Sequence, residues 1–181
     1  MKKGLLKKDN RLVSTNKELV FDYECYMKAC NKIADFIKAK YDLKKENIGL
    51  LGVARGGLPM LTTLSHLLNI REVSTIQLQM SDSDNCHDYG KVRIISETLV
   101  EKYDKFIIFE DIIYKGLSSG EVVNILKKKN KEVVDIYSLI IDEGFLDIEF
   151  PHNEIDINYV YTIDKDDWVY FFWETDTRDK E

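Results

Sequence analysis

Proline is scarce in this chain, two in 181 residues, and cysteine nearly so, three in all. With so little proline and no Gly- or Ser-rich tract, nothing reads as a low-complexity linker between domains. No internal repeat is present. Cys25, Cys30 and Cys86 are odd in number and fit no zinc spacing, which argues against a disulfide framework or a zinc site. They read as reduced, partly buried thiols of a cytosolic protein. Cys86 and His87 have no second Cys or His pair nearby, so a metal site there lacks support. No apolar run approaches the ~20 residues that cross a bilayer. Met1-Lys2-Lys3 is not followed by the apolar core of a signal peptide. Positive charge is not in excess: the net charge is -6, which excludes a general nucleic-acid footprint. Lys2, Lys3, Lys7, Lys8 and Arg11 are the local exception and read as a solvated N-terminal arm.

What remains is an ordinary globular composition, 44% hydrophobic and 32% charged, long enough for one domain with a substantial core. Residues 1–18 read as an N-terminal extension and 19–181 as the domain. Asp22 to Lys40 has a helical period in Ala29, Ile33, Ala34, Phe36 and Ile37, with Asp22 placed to cap it. Ile48 to Val53 is a short apolar run of the buried-strand type, broken by Ala54-Arg55-Gly56-Gly57. Leu58 to Leu68 predicts a helix with Pro59 in its first turn. Strands are predicted at 73–80, 92–95, 106–109, 133–141 and 159–163, and a helix at 121–128. The polar stretch 81–90 reads as a mobile cover. Strands alternating with helices predict an open α/β parallel sheet with helices on both faces. Right-handed crossovers bring the carboxyl ends of the strands to one edge, where Arg55, Glu110, Asp111 and Asp142 gather.

The densest chemistry lies in Lys105 to Gly120. An apolar strand ends in Glu110 and Asp111, and Lys115-Gly116-Leu117-Ser118-Ser119-Gly120 leads into a helix. Carboxylates at a strand end suit sugar hydroxyls or a hard cation, and free amides at a helix N-terminus suit phosphate. The pair reads as a site for a phosphorylated sugar. Glycines 56 and 57 permit close backbone approach, and Arg55 adds a forked donor for phosphate oxygens. Trp168, at the edge of an acidic loop, is a candidate for stacking on a planar base. Tyr170, Phe171 and Phe172 read as core or interface aromatics.

In this order and spacing, these groups resemble the type I phosphoribosyltransferases, most closely their xanthine-guanine branch, over about Leu19 to Glu174. Val20-Phe21-Asp22 resembles that branch's opening segment and Ala54 to Leu58 its pyrophosphate loop. Ser81 to Asn85 falls where its flexible loop begins (about 81–91), and Trp168 to Glu174 resembles its purine-stacking segment, within a small C-terminal hood at about 142–174. The resemblance implies transfer of ribose 5-phosphate from phosphoribosyl pyrophosphate to a purine-like base, with Mg²⁺, in a cytoplasmic homodimer or homotetramer. It implies that Arg55, Gly56 and Gly57 hold pyrophosphate, and that residues 115–120 hold the 5′-phosphate. Glu110 and Asp111 would bind ribose, with Asp111 ordering the metal. Trp168, Val169, Ile113 and Asp142 would surround the base.

Two positions depart from the family pattern. Tyr114 stands where the family has a general-base Asp, and a phenol of pKa ~10 is a poor base at neutral pH. Asp142 aligns with a Lys that binds the purine 6-oxo group, which favours an amine-bearing ring. An active transferase, a catalytically impaired binder of nucleotide or phosphoribosyl pyrophosphate acting as sensor, sponge or regulator, and an unrelated nucleotide-binding α/β protein all remain open at the level of sequence.

Overall fold

The computed structural model describes residues 1–5, 11–12, 18–79, 92–165 and 167–174. In chain order the elements are β1 (Lys2–Gly4), β2 (Glu18–Phe21), α1 (Tyr23–Lys40), β3 (Ile48–Ala54), α2 (Gly57–Leu67), β4 (Val73–Gln79) and β5 (Arg93–Thr98). They continue with β6 (Lys105–Ile113), α3 (Leu117–Lys128), β7 (Glu132–Asp142), α4 (Glu143–Leu146), β8 (Asp156–Ile163) and β9 (Trp168–Phe171). Seven strands form one sheet in the order β1-β8-β7-β6-β3-β4-β5; β2 and β9 form a separate parallel ribbon. The main sheet is parallel except at one edge, where β5 runs antiparallel to β4.

Sequence alternation explains the layers. Along β6, Ile107 and Phe109 enter the core shared with α1 and α2, while Phe106 and Ile108 enter the core shared with α3. Both faces are covered, so the strand is apolar at successive positions. The crossover through α2 runs outward from β3 to β4, and the one through α3 runs outward from β6 to β7. Right-handed connections in opposite directions put the two helices on opposite faces. The crevice between the carboxyl ends of β3 and β6 is therefore the point where strand order reverses, the place for a ligand in such sheets. Helix α1 starts where its cap was expected: the Asp22 carboxylate accepts from the Cys25 N–H at 2.8 Å. Ala29, Ile33, Ala34 and Ile37 are buried, but Phe36 lies on the outer side of the helix.

Of the boundaries that differ from expectation, two bear on the site. β6 runs on through the two acids to Ile113, because Glu110, Ile112 and Ile113 still pair with Ser138, Ile140 and Ile141 of β7. α3 starts at Leu117 rather than 121, because Gly116 adopts the left-handed conformation (φ 70°) and turns the chain from strand to helix in one step. The expected solvated arm is also corrected. Residues 2–4 form the seventh strand, in parallel register with Ile157 to Tyr159, and Leu5 is buried. Lys2 bonds carbonyl oxygens beyond β7, Lys3 pairs with Asp156, and Arg11 pairs with Glu143 and Asp164. Lys7, Lys8 and the predicted cover at 81–90, with Cys86 and His87, lie outside the described residues.

Candidate functional site

The site is built on the ends of four parallel strands. β3 ends at Ala54, and the Ala54–Arg55 peptide is cis. Arg55 is exposed and Gly56 precedes the first turn of α2. Across the crevice, β6 presents its two acids to opposite faces, as an extended strand must. Asp111 faces the loop at Gly56, where a Cβ would overlap its carboxylate. Glu110 turns the other way, under α3, and accepts from the Ser119 hydroxyl.

This division separates the roles expected for the acids. Glu110 and Ser119 are buried, so Glu110 braces the first turn of α3 and the Ser119 hydroxyl is already committed. Burial pushes the Glu110 carboxyl up to about 7, with the Asp111 charge adding to the rise and the Ser119 and Ser118 bonds opposing it. Asp111 is half-buried at the crevice. Desolvation pushes it up to about 6 against backbone hydrogen bonds, and the carboxylate of Glu174 adds to the rise. Glu174 is held there by the Phe171 N–H, which donates to its Oε2 at 2.9 Å, so the C-terminal segment closes toward the acid of β6.

Beyond β6, Gly116 leaves the amides at the start of α3 directed away from the helix. The first intrahelical bond in this turn runs from the Gly120 N–H to the Gly116 carbonyl at 2.9 Å. A Cβ on Gly116 would lie 2.7 Å from the Phe145 ring, so packing as well as backbone conformation requires glycine. Lys115 and Leu117 are exposed, Ser118 is half-buried, and Ser119 and Gly120 are buried. The chain here thus turns the amides of 117–119 outward beside Lys115 and Ser118, whose hydroxyl is shared with Glu110, an arrangement suited to an anion.

A pocket of about 560 Å³ opens beside this turn, lined by Tyr114, Lys115, Asp142, Gly144, Asp147, Ile148 and Lys165. Asp142 is buried at its wall, and its Oδ1 accepts from the Gly144 N–H at 2.7 Å, capping α4. The methylenes of Lys165 lie over Gly144, the nearer 3.3 Å from where a Cβ would stand. Sequence reasoning missed Lys165. The signal was its place just after the apolar run of β8, the same strand-end position that marked Arg55 and Asp142, but three neighbouring aspartates obscured it. The Tyr114 hydroxyl donates to the Asp167 carbonyl at 3.3 Å, tying the end of β6 to the residue before Trp168. Trp168 is 40% exposed and stands edge-on to Tyr170 at 6.1 Å. Two expected base contacts are not brought to this surface. Ile113 is buried in the α3-side core, and Val169 in the α1-side core, because alternation along β6 and β9 turns them inward.

Among the described residues no three His, Cys, Asp or Glu side chains converge as a metal cage. Asp111 fits a magnesium ion that takes one protein carboxylate and fills its remaining positions with substrate oxygens and water.

Residues 22–180 match the family described as phosphoribosyl transferase domain. The chain is 27% identical over 110 residues to the hypoxanthine phosphoribosyltransferase of Buchnera aphidicola subsp. Schizaphis graminum, covering 60% of this chain and 62% of that relative. Its fold resembles the purine phosphoribosyltransferase of Pyrococcus horikoshii (TM-score 0.66, 21% identity, 88% of this chain and 95% of that one). It also resembles the xanthine-guanine-hypoxanthine phosphoribosyltransferase of Helicobacter pylori (TM-score 0.63, 20% identity, 89% and 96%).

Proposed function

We propose, from the premise that this chain belongs to the phosphoribosyl transferase domain family, that it moves ribose 5-phosphate from phosphoribosyl pyrophosphate to a purine-like base. The observation that carries the reading is the placement of Gly56 and the start of α3 on either side of the end of β6. A pyrophosphate-type loop and a phosphate-type turn there share one strand end, with Asp111 between them. Such a donor carries an anionic group at each end and a ribose in the middle.

In this reading Arg55 with the Gly56 and Gly57 amides holds the pyrophosphate, and Lys115, Ser118 and the amides of 117–119 hold the 5′-phosphate. Asp111 accepts from the ribose hydroxyls, while Glu110 keeps the turn of α3 in place. A magnesium ion held by Asp111 and the donor's oxygens would neutralise charge on the departing pyrophosphate. The C1–O bond breaks with its electron pair leaving on pyrophosphate, and a ring nitrogen of the base forms the new C1–N bond. Holding both reactants in line supplies most of the acceleration. The nitrogen's proton leaves to water, since Tyr114 cannot take it at neutral pH. Trp168 stacks on the base. The Lys165 ammonium donates to an oxo group on the ring, since one oxygen of Asp142 is already occupied by Gly144. That makes a 6-oxopurine the fitting substrate, in place of the amine-bearing ring that Asp142 alone favours. Residues 19–181 act as the catalytic domain, in a cytoplasmic homodimer or homotetramer.

The second reading, a nucleotide binder without turnover, is favoured by Tyr114, whose hydroxyl is engaged with Asp167. Incubation with phosphoribosyl pyrophosphate, magnesium and hypoxanthine, guanine, xanthine or adenine separates the two. Pyrophosphate release that disappears in Asp111→Ala supports the transferase. Tight nucleotide binding with no release for any base supports the binder.

A further inference from the structure

The segment before β2 reaches the wall of the pocket at both ends of α4. Two described stretches meet the edge of β8 that β1 pairs: the Leu5 N–H donates to the Tyr159 carbonyl at 2.8 Å and the Leu12 N–H to the Thr162 carbonyl at 2.9 Å. From there the Arg11 guanidinium donates to both carboxylate oxygens of Glu143, the first residue of α4, with Nε to Oε1 at 3.0 Å. Its Nη2 also pairs with Asp164 at 2.5 Å, in the turn that carries Lys165 and leads to Trp168. The Thr162 hydroxyl donates to the same Glu143 at 3.1 Å. At the far end of α4, Lys2 donates to the carbonyls of Phe145 and Ile148 and sits over the Phe145 ring at 3.9 Å.

Helix α4 has four residues, Glu143 to Leu146. One turn cannot hold itself, because nucleating a helix costs more than a single turn returns. It stands because Asp142 caps it and because Arg11 and Lys2 grip its two ends. Two walls of the pocket, α4 and the turn that follows β8, meet through the Lys165 stem packed on Gly144 and through the Thr162–Glu143 bond at the end of β8, and Arg11 adds an ionic tie to both. A forked guanidinium bonded to both fixes their spacing in a way that a point charge does not.

We propose that Arg11 is a positioning residue for this pocket, coupling α4 to the Lys165–Trp168 turn so that the base is held in register with the ribose. The inference rests on the reading of the pocket as the base site. Its test uses the full chain with Arg11→Ala, Arg11→Lys and Glu143→Gln. In Arg11→Ala the KM for the base rises about fivefold, the scale of losing a paired guanidinium at a partly exposed site. The KM for phosphoribosyl pyrophosphate and kcat stay within about twofold of the parent, and Arg11→Lys recovers only part of the loss. Equal changes in both KM values, or none, overturn the proposal. Hydrogen exchange provides a readout that needs no ligand. In Arg11→Ala the amides of 144–148 and 167–169 exchange faster while those of Ile107, Ile108 and Ile140 do not. Unchanged exchange in those two segments overturns the coupling even if the protein proves to turn over no base. A parent protein that binds neither base nor nucleotide, with exchange altered as expected, overturns the reading of the pocket and leaves the coupling standing.

Discussion

Gly56 lies directly against the carboxylate of Asp111, so closely that a methyl group at position 56 would occupy the same space. Two strands that neighbour each other at the sheet's switch point thus bring a loop backbone and an acid into contact. The acid in question is the one whose carboxyl burial pushes up to about 6, toward its protonated form. Gly56→Ala forces either the loop or the carboxylate to move. A displacement of this size at a reacting centre costs about 10²-fold in kcat/KM. Steady-state pyrophosphate release, compared with Gly4→Ala as a remote control, measures it. Gly4 has only ordinary contacts with the Tyr159 ring, so that control retains parental kinetics. Parental kinetics in Gly56→Ala would show that the contact has no catalytic consequence.

The buried Glu110 makes stability depend on pH in a direction opposite to that of a salt-bridged acid. Its carboxyl titrates at about 7 in the folded chain, well above its ordinary value. Between those values the folded state binds the extra proton, so stability falls as pH rises. The contribution is complete below about pH 4 and is lost as pH passes through about 7. Asp111, raised to about 6, acts in the same sense. Glu110→Gln keeps an acceptor for the Ser119 hydroxyl and removes the titration. Thermal melts of the ligand-free protein from pH 5 to 8 should show a declining Tm for the parent and a flatter profile for the variant. The difference at pH 8 corresponds to about 1–3 kcal/mol. Superimposable profiles would show that burial does not hold this carboxyl up.

Much of this arrangement was legible in the chain before any coordinates. The run from Phe106 through Gly120, the Arg55-Gly56-Gly57 break and the helix capped by Asp22 all carry local signals, because a strand end, a tight turn and a cap each demand particular residues nearby. Other features depend on partners distant in sequence. That β6 continues through Glu110 and Asp111 depends on pairing with β7, and the continuation is what sends the two acids to opposite faces. Ile113 and Val169 sit beside chemically active neighbours in sequence yet point into the core, since a period of two overrides adjacency. Arg11 and Lys2 looked like a solvated arm because their partners, Glu143, Asp164 and the carbonyls of α4, lie more than a hundred positions away.

Tyr114 tests whether the scaffold lacks only a base. Its hydroxyl donates to the carbonyl of Asp167, which suits an anchor for the turn before Trp168 better than a proton acceptor. Tyr114→Phe removes that bond and leaves kcat within about threefold, since a phenol of pKa ~10 contributes little as a base at pH 7. Tyr114→Asp supplies a carboxylate at the end of β6 and raises kcat by about 10²-fold, the lower end of what a positioned base provides. Pyrophosphate release at saturating donor and base measures both. Complete loss of turnover in Tyr114→Phe would instead make the phenol part of the chemistry.

Lys165 decides between ring types. Its stem is fixed over Gly144 and its head shares a pocket with Asp142, whose Oδ1 is already filled. An ammonium there rewards an oxygen acceptor on the base and gains no hydrogen bond from an amino group, which is itself a donor. Lys165→Met keeps the stem and deletes the charge. Loss of a hydrogen bond to a charged group is worth ~1.5–3 kcal/mol, so the KM for hypoxanthine or guanine should rise about 10- to 100-fold. The KM for phosphoribosyl pyrophosphate should move much less, because Lys165 follows β8, three strands away from the Arg55 loop that follows β3. Adenine, which has an amino group in place of the oxo group, should lose nothing. If adenine and hypoxanthine suffer equally, the residue shapes the pocket without reading the ring, and discrimination must then come from Asp142 or from the backbone around Trp168.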